Sequence, residues 1–483
     1  MTLRNGDAYR KSLRKLRPNV HKWGELIEDV TTHPSTRLHV QSVAASFDAA
    51  FDPERAPIFT AISHLTGKAA HRWNTLMRCV EDVLGNARMK RAQFRFSGTC
   101  QGATCAGWTG LNALWAVTHE ADAELGTGYH ARLRDYFREV EEHGYALAGA
   151  LTDAKGNRAV KAGEQAHADA NLHVTEERPD GIVVRGVKAQ ICAVAAANEI
   201  VVLPGTAYGP EEKAFAVAFA VPRDVEGLTI VETRRPSDTR DEEQGWDSPK
   251  VGTITQAWLL FDDVFVPRHR VFLCGEAQYT GRLVSIFSAI YRAAIGACVA
   301  GQGDVMIGAA LALARANGLS QKTFQEKLTQ MAVNNEVTFG VGAGAMLLGK
   351  PHASGVFVPD PLLAHVNKVQ VGRLPYETKV IAQDISGGIA ETGCLPSFKD
   401  FEAPGYGDAL RAAAAGAEDG ETRARLARLV EWLTIGGGVP GCMHGGGSPD
   451  GARLAIKGLV NWEGSVANAR RIAGVTGELP EPR

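Results

Sequence analysis

The segment at residues 285–318 has the strongest helical pattern in the chain and constrains the fold more than any other feature. It reads SIFSAIYRAAIGACVAGQGDVMIGAALALARANG, with apolar residues at the three- and four-residue spacing of a helix. Its many alanines and glycines allow neighbouring helices to approach closely. We therefore predict a long helix packed within a C-terminal helical bundle, with a surface that can also serve an oligomer interface.

Tyr291 and Cys298 lie in this segment and are seven residues apart. This spacing places them on one helical face, two turns from each other. Cys100 and Cys105 lie far upstream in CQGATCAGWTGLNALW, which is also rich in small residues and compatible with a helix. Three thiols on two such helices could hold an iron–sulfur cluster, or they could be buried, inert cysteines. The residues alone leave both alternatives open.

Composition excludes several classes of protein. A chain of 483 residues, 45% hydrophobic and 22% charged, is typical of a soluble globular protein with more than one domain. A net charge of −2 without a basic stripe argues against nucleic-acid and anionic-membrane partners. The polar N-terminus has no secretory signal, no apolar run is long enough to span a bilayer, and the scattered cysteines form no disulfide framework. We therefore predict a cytoplasmic protein.

The pattern of residues changes twice along the chain. Helical spacing prevails to residue 145, short β-branched runs bounded by Gly, Pro and Asp follow, and long helical patterns return after residue 276. This order indicates an α+β fold. We predict an N-terminal helical domain (1–145), a central antiparallel β-sandwich or barrel domain (146–276) and a C-terminal helical domain (277–483).

Two segments could contact a cofactor. In LTDAKGNR, residues 151–158, Thr152, Asp153 and Arg158 could grip the edge of a ring or a pyrophosphate, although a plain solvent turn has the same composition. In RLPYETKVIAQDISGG, residues 373–388, a helix ends in two glycines. Helix termination explains these glycines without a ligand, and a phosphate or adenine contact is the alternative. No Rossmann fingerprint follows a strand, which argues against nicotinamide binding of that kind.

A third segment, HGGGSP at residues 444–449, predicts a tight turn before a helix. His444 before three glycines could place its imidazole near a substrate. It could equally cap the turn as a loop histidine.

Together these segments resemble the family of 4-hydroxybutyryl-CoA dehydratase and, more distantly, the 4-hydroxyphenylacetate 3-hydroxylase flavin monooxygenases. The resemblance covers nearly the whole chain and is carried by SLRKLRPNVHKWGELIEDVTTHP, LTDAKGNR, DGIVVRGVKA, SDTRDEEQG, FDDVFVPRHRVFLC, GDVMIGAA, RLPYETKVIAQDISGG and MHGGGSP. It implies an acyl-CoA dehydrogenase-like fold, usually a homotetramer, with FAD bound between domains and a neighbouring subunit.

The resemblance also implies which residues contact FAD. On one side these are Leu151, Thr152, Asp153, Asn157 and Arg158, with the flavin-side segment Gln190 to Cys192. On the far side, the segment from Asp384 to Gly388, including Ser386 and Gly387, is expected to complete the contact.

In the dehydratase a 4Fe–4S cluster beside the flavin is held by three cysteines and one histidine. Cys105 and Cys298 match two of these cysteine positions, and Cys100 lies close to the third with one extra residue of spacing. The histidine position is Tyr291, a poor replacement for imidazole. Cys192 is the best candidate for a further thiolate, because the family places that position beside the flavin.

The other departures concern acid–base groups. Two active-site glutamates of the dehydratase correspond to Gln256 and Gly441, its tyrosine to Ile295 and its lysine to Val299. Since proton removal from an unactivated carbon needs a positioned base, the sequence favours a FAD-dependent oxidoreductase of the monooxygenase type, supplied with FADH2 by a separate reductase and lined by Tyr291, His444 and Gln256. The alternatives are a modified iron–sulfur flavoenzyme acting on a hydroxyacyl-CoA-type substrate, and an inactive structural subunit.

Overall fold

A computed structural model describes residues 3–100, 103–154, 156–157, 159–234, 254–435 and 443–477. The helices are α1 (Gly6–Leu13), α2 (Pro34–Asp48), α3 (Ala56–Phe59), α4 (Val80–Ser97), α5 (Ala103–Leu125), α6 (Tyr129–His143), α7 (Ala277–Ala316), α8 (Gln325–Leu347), α9 (Pro361–Val371), α10 (Leu374–Ser386), α11 (Gly388–Glu391), α12 (Phe398–Phe401), α13 (Gly407–Ala414), α14 (Gly420–Thr434), α15 (Pro449–Leu459) and α16 (Trp462–Ile472). The strands are β1 (Val20–Lys22), β2 (Glu25–Ile27), β3 (Thr60–Ile62), β4 (Ala69–His71), β5 (Leu147–Ala150), β6 (His173–Arg178), β7 (Gly181–Cys192), β8 (Glu199–Val202), β9 (Val217–Pro222), β10 (Leu228–Glu232), β11 (Gln256–Pro267), β12 (Val271–Cys274), β13 (Lys350–Pro351) and β14 (Phe357–Val358).

The expected mixed α+β architecture is confirmed. Two sheets dominate the centre, one in the order β2-β1-β10-β11-β7-β6 and one in the order β12-β9-β8-β5. They meet through buried aromatic residues such as Phe219 and Phe261, whose ring centroids lie 6.1 Å apart. Long helices precede and follow them along the chain.

Two expectations for the central region were wrong. The sheets are not purely antiparallel, because β1 runs parallel to β10 and β5 runs parallel to β8. The N-terminal part also contributes β1 and β2 to the larger sheet. Strands of three residues carry too little alternation to be recognised in a sequence, and Val20 finds its partner, Ile230, more than 200 positions away.

The helix α7 begins eight residues before the segment that predicted it and runs through the centre of the C-terminal part. Two of its glycines explain the close packing. A Cβ on Gly296 would lie 2.2 Å from the carbonyl oxygen of Thr338 on α8, and one on Gly301 would lie 2.5 Å from that of Arg91 on α4. Only glycine permits this approach of backbones, so the small-residue pattern is a packing device, as expected.

The helical stretch from residue 361 to residue 386 consists of two helices. α9 ends at Gly372, and α10 begins immediately afterwards with Pro375 in its first turn. Proline lacks the N–H that would continue the preceding helix. The helices α15 and α16 are separated near Asn461, whose side chain caps α16.

The described hydrophobic core has two large parts. One cluster joins the N-terminal helices, both sheets and the first half of α7, with Phe47, Trp108 and Ile290 among its members. A second joins the later half of α7 to α10 and α14, with Ile385 and Trp432 among its members. α7 therefore connects the β region to the C-terminal bundle.

α7 is long and apolar enough to cross a membrane by length and composition alone, but 72% of its most apolar 18-residue window is buried inside the protein. This burial is what a core helix requires.

Candidate functional site

Tyr291 lies at the junction of the two helical layers and the larger sheet. It projects from α7 beside Phe287, and the two rings stack with centroids 5.5 Å apart and planes 13° apart. Tyr291 and Cys298 pack against one small cluster with Ile295, as the seven-residue spacing predicts. The centre of the site is therefore one face of α7.

Four cysteine thiols lie near enough to Tyr291 to affect the ionisation of its phenol. Burial raises the pKa of Tyr291 well above its ordinary value, and Cys105, Cys192, Cys298 and Cys100 add to this shift, in that order. These thiols come from four separate places: the residues before α5, α5 itself, the end of β7, and α7. The fold thus gathers the three cysteines predicted as metal ligands together with Cys192.

Cys192 is held in the site by the pairing of β7 with β11. It lies opposite Gln256, whose amide nitrogen Nε2 donates to the Cys192 Sγ at 3.7 Å. Burial raises the pKa of the Cys192 thiol to about 11; the Gln256 hydrogen bond opposes this rise, whereas Cys105 and Glu232 add to it. Two predicted site residues, Gln256 and Cys192, therefore form one contact.

The backbone around Cys192 is strained. Gln190 has a φ of 57° and Ala193 a φ of 56°, left-handed values that residues with a Cβ rarely adopt. The N–H of Ala193 donates to the carbonyl of Thr255 at 2.7 Å, which ties this bend to the start of β11. Such strain is concentrated at functional sites, and here it sets the direction of Gln190 and Cys192.

The glycine turn at residues 444–447 covers the ring of Tyr291. Arg292 Nε donates to the carbonyl of Gly446 at 2.9 Å, and Lys368 Nζ donates to that of Gly445 at 2.6 Å. A Cβ on Gly446 would lie 2.8 Å from two carbons of the Tyr291 ring. Two buried cations thus clamp the turn onto the aromatic ring.

His444 begins this turn, and its carbonyl accepts from the N–H of Gly447 at 3.0 Å. The backbone of His444 is therefore part of the turn over the site. The residue as a whole is exposed in the single chain. The tight turn predicted from HGGGSP is present. The function of the imidazole stays a prediction.

The loop with Leu151, Thr152 and Asp153 packs along β7. The Asp153 carboxylate lies 2.6 Å from the Lys188 ammonium and accepts from the Tyr208 hydroxyl at 3.0 Å. Lys188 also donates to the carbonyls of Leu151 and Leu203, each at 3.0 Å. Asp153 therefore holds the loop in place through its contacts with Lys188 and Tyr208. The neighbouring Thr152 is half-buried.

The rest of the predicted loop is only partly described. Asn157 is exposed, and its side-chain oxygen accepts from the N–H of Ala159 at 3.1 Å. Arg158 lies outside the residues that the structure describes.

The far-side segment ends α10. Gly387 has a φ of +73°, which explains it as a helix cap. Asp384 pairs with Lys327 at 2.5 Å, and the Ser386 hydroxyl donates to the carbonyl of Ala382 at 2.7 Å. Gly387 and Gly388 are exposed, with nothing within 4 Å of an added Cβ, so the accessible feature of this segment is its backbone.

Sequence reasoning missed four charged residues at the site: Lys90, Lys188, Glu232 and Arg292. Each is at most 8% exposed, which is unusual for its residue type. For Arg292 in AIYRAAIG the sequence signal is a charge within an apolar stretch, whereas Lys90 in ARMKRAQFR lies among other charges and gives no such signal. Such a signal cannot identify the partner.

By residue type, a set of four thiols is suited to an iron–sulfur cluster. Among the described residues, one trio of His, Cys, Asp or Glu has all its ligand atoms within 4.8 Å of one another: His64, Cys79 and Asp82 at the start of α4. The thiols around Tyr291 are spaced more widely, and Cys₄ is an established ligand set for clusters. The buried hydroxyls of Thr99 and Thr104, beside Cys100 and Cys105, have no hydrogen-bond partner among the residues that the structure describes.

A flavin fits the edge of β7. Thr152 offers a half-buried hydroxyl and Gln190 an exposed amide. The buried hydroxyl of Thr255, next to Gln256, has no hydrogen-bond partner within the described part of the chain. These neutral donors and acceptors match the polar edge of a flavin ring. The far-side segment at the end of α10 packs elsewhere: its Ile385 belongs to the second hydrophobic cluster, which joins the later half of α7 to α10 and α14.

The fold is a mixed α+β architecture with two central sheets and a C-terminal helical bundle. Comparison with known families identifies the particular family. The profile of the 4-hydroxyphenylacetate 3-hydroxylase N-terminal region matches residues 5–273, and that of the C-terminal region matches residues 280–474. The chain belongs to the 4-hydroxyphenylacetate 3-hydroxylase family, which confirms the resemblance seen in the sequence.

Individual relatives show both branches of that resemblance. The chain is 34% identical to the 4-hydroxybutyryl-CoA dehydratase/vinylacetyl-CoA-Δ-isomerase of Clostridium aminobutyricum, over 98% of this chain and all of the relative. It is 25% identical to the oxygenase component of 4-hydroxyphenylacetate 3-monooxygenase from Geobacillus, over 90% of this chain and 88% of the relative.

Solved structures agree. An oxygen-tolerant 4-hydroxybutyryl-CoA dehydratase from N. maritimus superposes with a TM-score of 0.94 and 33% identity, over 100% of this chain and 97% of that one. The oxygenase component of 4-hydroxyphenylacetate 3-monooxygenase complexed with FAD gives a TM-score of 0.83 at 24% identity, over 97% and 98%.

Proposed function

We propose that this protein is a FAD-dependent oxidoreductase that oxygenates a small organic substrate. FADH2 would come from a separate flavin reductase, and Tyr291, His444 and Gln256 would line the substrate site. The family membership supports this proposal, as do relatives named as oxygenase components and the solved oxygenase complexed with FAD.

The residue types at the site support the proposal, because tyrosine and cysteine are ordinarily protonated at neutral pH and burial reinforces this. The pKa of Tyr291 is raised well above its ordinary value by burial, and that of Cys192 is raised to about 11. Both groups are therefore protonated at neutral pH and act as hydrogen-bond donors. A dehydratase needs a base to remove a proton from carbon, whereas in a flavin oxygenase the cofactor supplies the difficult chemistry.

The chain's own residues would bind and orient. Thr152 and Gln190 would hold the ring edge of the flavin, and Leu151, Asn157 and Arg158 are further proposed contacts, while Lys188 fixes the loop through Asp153. Bound FAD supplies hydride transfer or oxygen activation. The Tyr291 hydroxyl and the Gln256 amide would hydrogen-bond the substrate, and the glycine turn at 444–447 would exclude water from that face.

The four thiols favour a second candidate, an iron–sulfur flavoenzyme that dehydrates or isomerises a hydroxyacyl thioester. Cys100, Cys105 and Cys298 would be cluster ligands, with Cys192 in place of the family's histidine. Two relatives carry the dehydratase name at 33–34% identity. A cluster would supply a redox-active, Lewis-acidic iron beside the flavin.

Anaerobic purification followed by iron and acid-labile sulfide analysis separates the candidates. Flavin absorption without iron supports the oxygenase. Stoichiometric iron and sulfide that Cys192→Ser abolishes and Cys394→Ser preserves would replace it with the second candidate. Cys394 is exposed and serves as the matched control for loss of a thiol.

We further propose the acyl-CoA dehydrogenase-like arrangement of three domains, with boundaries near residues 145 and 276, and a cytoplasmic homotetramer. The amphipathic helices α15 and α16 support an oligomer, because Leu454, Trp462 and Ile472 are 73%, 56% and 84% exposed in the single chain. A flavin held by two copies would join the β7 edge of one to the Asp384–Gly388 backbone of the other. Light scattering tests this: a monomer that retains FAD tightly would contradict it.

A further inference from the structure

Three side chains of the types that bind transition metals meet at the start of α4. They are the imidazole of His64, the thiol of Cys79 and the carboxylate of Asp82, and their ligand atoms all lie within 4.8 Å of one another. His64 Nε2 lies 2.9 Å from Asp82 Oδ2, and the Cys79 Sγ donates to the same oxygen at 3.3 Å. We call these three residues the His–Cys–Asp trio.

The turn between β3 and β4 fixes the position of His64. The N–H of Gly67 donates to the carbonyl of Ser63 at 2.9 Å. The Ser63 hydroxyl accepts from the N–H groups of Leu65 and Thr66, each at 3.0 Å. Because these hydrogen bonds close the turn around His64, its backbone is held in place by the protein itself.

The first turn of α4 fixes the other two ligands. Cys79 is the N-cap residue, and Asp82 is the third residue of the helix. Asp82 Oδ2 accepts from the N–H of Arg78 at 2.8 Å and from that of Cys79 at 3.2 Å. The trio therefore joins two elements that each hold their own ligands in place, and such pre-organisation favours metal binding.

Helix capping accounts for Asp82 but not for the other two residues. Ser, Thr, Asn and Asp are the favoured N-cap residues because their oxygens accept from backbone N–H groups, whereas a thiol is a weak acceptor. The Cys79 thiol instead donates to Asp82. An ion pair between His64 and Asp82 would still leave the thiol at this position unexplained.

The combination of nitrogen, sulfur and oxygen donors suits Zn²⁺. Thiolate and imidazole are ligands for Zn²⁺, whereas Mg²⁺ and Ca²⁺ prefer oxygen alone. With the usual zinc–ligand bond lengths, tetrahedral coordination places the ligand atoms about 3.3–3.6 Å apart. The two separations of 2.9 and 3.3 Å at Asp82 therefore need only a small outward movement of the side chains.

The local charges permit a divalent cation. Two groups oppose it: the N-terminal end of α4 carries about half a positive charge, and the Arg72 guanidinium is close enough to Asp82 for the two charges to interact. The Cys79 thiolate and the Asp82 carboxylate together provide two negative charges, which exceed this opposing charge. Binding would release the thiol proton to solvent.

We propose that His64, Cys79 and Asp82 bind one Zn²⁺ ion, with water as the fourth ligand, and that the ion fastens the β3–β4 hairpin to the start of α4. This inference is independent of the proposed function, because none of the three residues belongs to the candidate flavin or substrate site. His64 is exposed, so the ion can enter from solvent.

Metal titration of the purified full-length protein tests the proposal. Isothermal titration uses Zn²⁺, and difference absorption spectra use Co²⁺ as its substitute. We expect one ion per chain at the trio, with thiolate-to-cobalt charge-transfer bands. Cys79→Ser should remove these bands and weaken Zn²⁺ binding by more than the roughly 10- to 100-fold that loss of an outer-shell partner costs. Since serine is a favoured N-cap, α4 should stay intact in this variant.

The other two ligands are tested by His64→Ala and Asp82→Asn, which should weaken Zn²⁺ binding to a similar extent. Hydrogen exchange provides a structural measurement: Zn²⁺ should slow exchange across residues 60–71 of the wild type and leave it unchanged in Cys79→Ser. Full Zn²⁺ affinity in His64→Ala would show that the trio is only a helix cap, and would overturn the proposal.

Two cysteine variants serve as matched controls. Cys394→Ser removes an exposed thiol, and Cys192→Ser removes one of the four thiols near Tyr291. Both should keep the ion at the trio. Charge-transfer bands that survive in Cys79→Ser and disappear in Cys192→Ser would assign the metal to the four thiols and contradict the proposal. A wild-type protein without such bands would also contradict it.

Discussion

Replacement of Gly446 by alanine tests the seating of the glycine turn on Tyr291. Gly446 has a φ of +71°, and an added Cβ would lie 2.8 Å from the Tyr291 ring. The left-handed backbone alone costs an alanine about 1–2 kcal/mol. The ring cannot move freely because Phe287 stacks on its side, so the contact adds the ~1–3 kcal/mol typical of overpacking.

Gly126→Ala isolates the backbone effect. Gly126 has a φ of +67° with nothing within 4 Å of an added Cβ. This variant should therefore lose only the about 1–2 kcal/mol that the left-handed backbone costs an alanine. Hydrogen exchange followed by mass spectrometry would measure the opening free energy of the peptide containing each glycine. We expect the loss at Gly446 to exceed that at Gly126 by ~1–3 kcal/mol, with faster exchange across residues 443–447.

Equal losses in the two variants would refute this reasoning, because the turn would then not rest on the ring. The same result would weaken the view that the turn excludes water from the substrate face. Ligand-induced protection of 443–447 in the wild type provides an independent check.

The remaining predictions concern buried charges. Asp153→Asn should destabilise the β region by ~3–5 kcal/mol, because Lys188 would lose its buried partner. In chemical denaturation, the double variant Asp153→Leu/Lys188→Met should lose less unfolding free energy than Asp153→Asn. A larger loss in the double variant would contradict the importance of this ion pair. Glu141 is fully buried, and burial raises its pKa to about 7. Since the native state holds this proton more tightly than the unfolded chain, stability should fall as the pH rises from about 4.5 to 7, by up to ~3 kcal/mol. Glu141→Gln should flatten this part of the stability profile, and an unchanged slope would show that Glu141 is not responsible.

Much of the helical architecture was predictable because its signals are local. The apolar spacing along 285–318 and its glycines determine both α7 and the close contact at Gly296. Tyr291 and Cys298 share a face for the same geometric reason. Helix breaks near Pro375 follow from proline chemistry, although the surrounding periodicity concealed them.

The sheets and the complete site depend on distant pairings that no local pattern contains. β1 joins β10 through Val20 and Ile230, and Cys192 enters the site because β7 pairs with β11 opposite Gln256. Lys90 is recognisable as a site residue only after α4 is packed against α7. For Asp153, the sequence indicated a ligand contact, whereas the structure shows that Lys188 and Tyr208 occupy its carboxylate.

The most direct test of the central claim is the flavin content of the purified protein, measured by its absorption spectrum before and after incubation with excess FAD and gel filtration. We predict stoichiometric retained FAD in the wild type and in Lys22→Met, and a lower FAD content in Gln190→Ala and Arg158→Ala. A protein that neither carries nor takes up FAD under these conditions would contradict the proposed function.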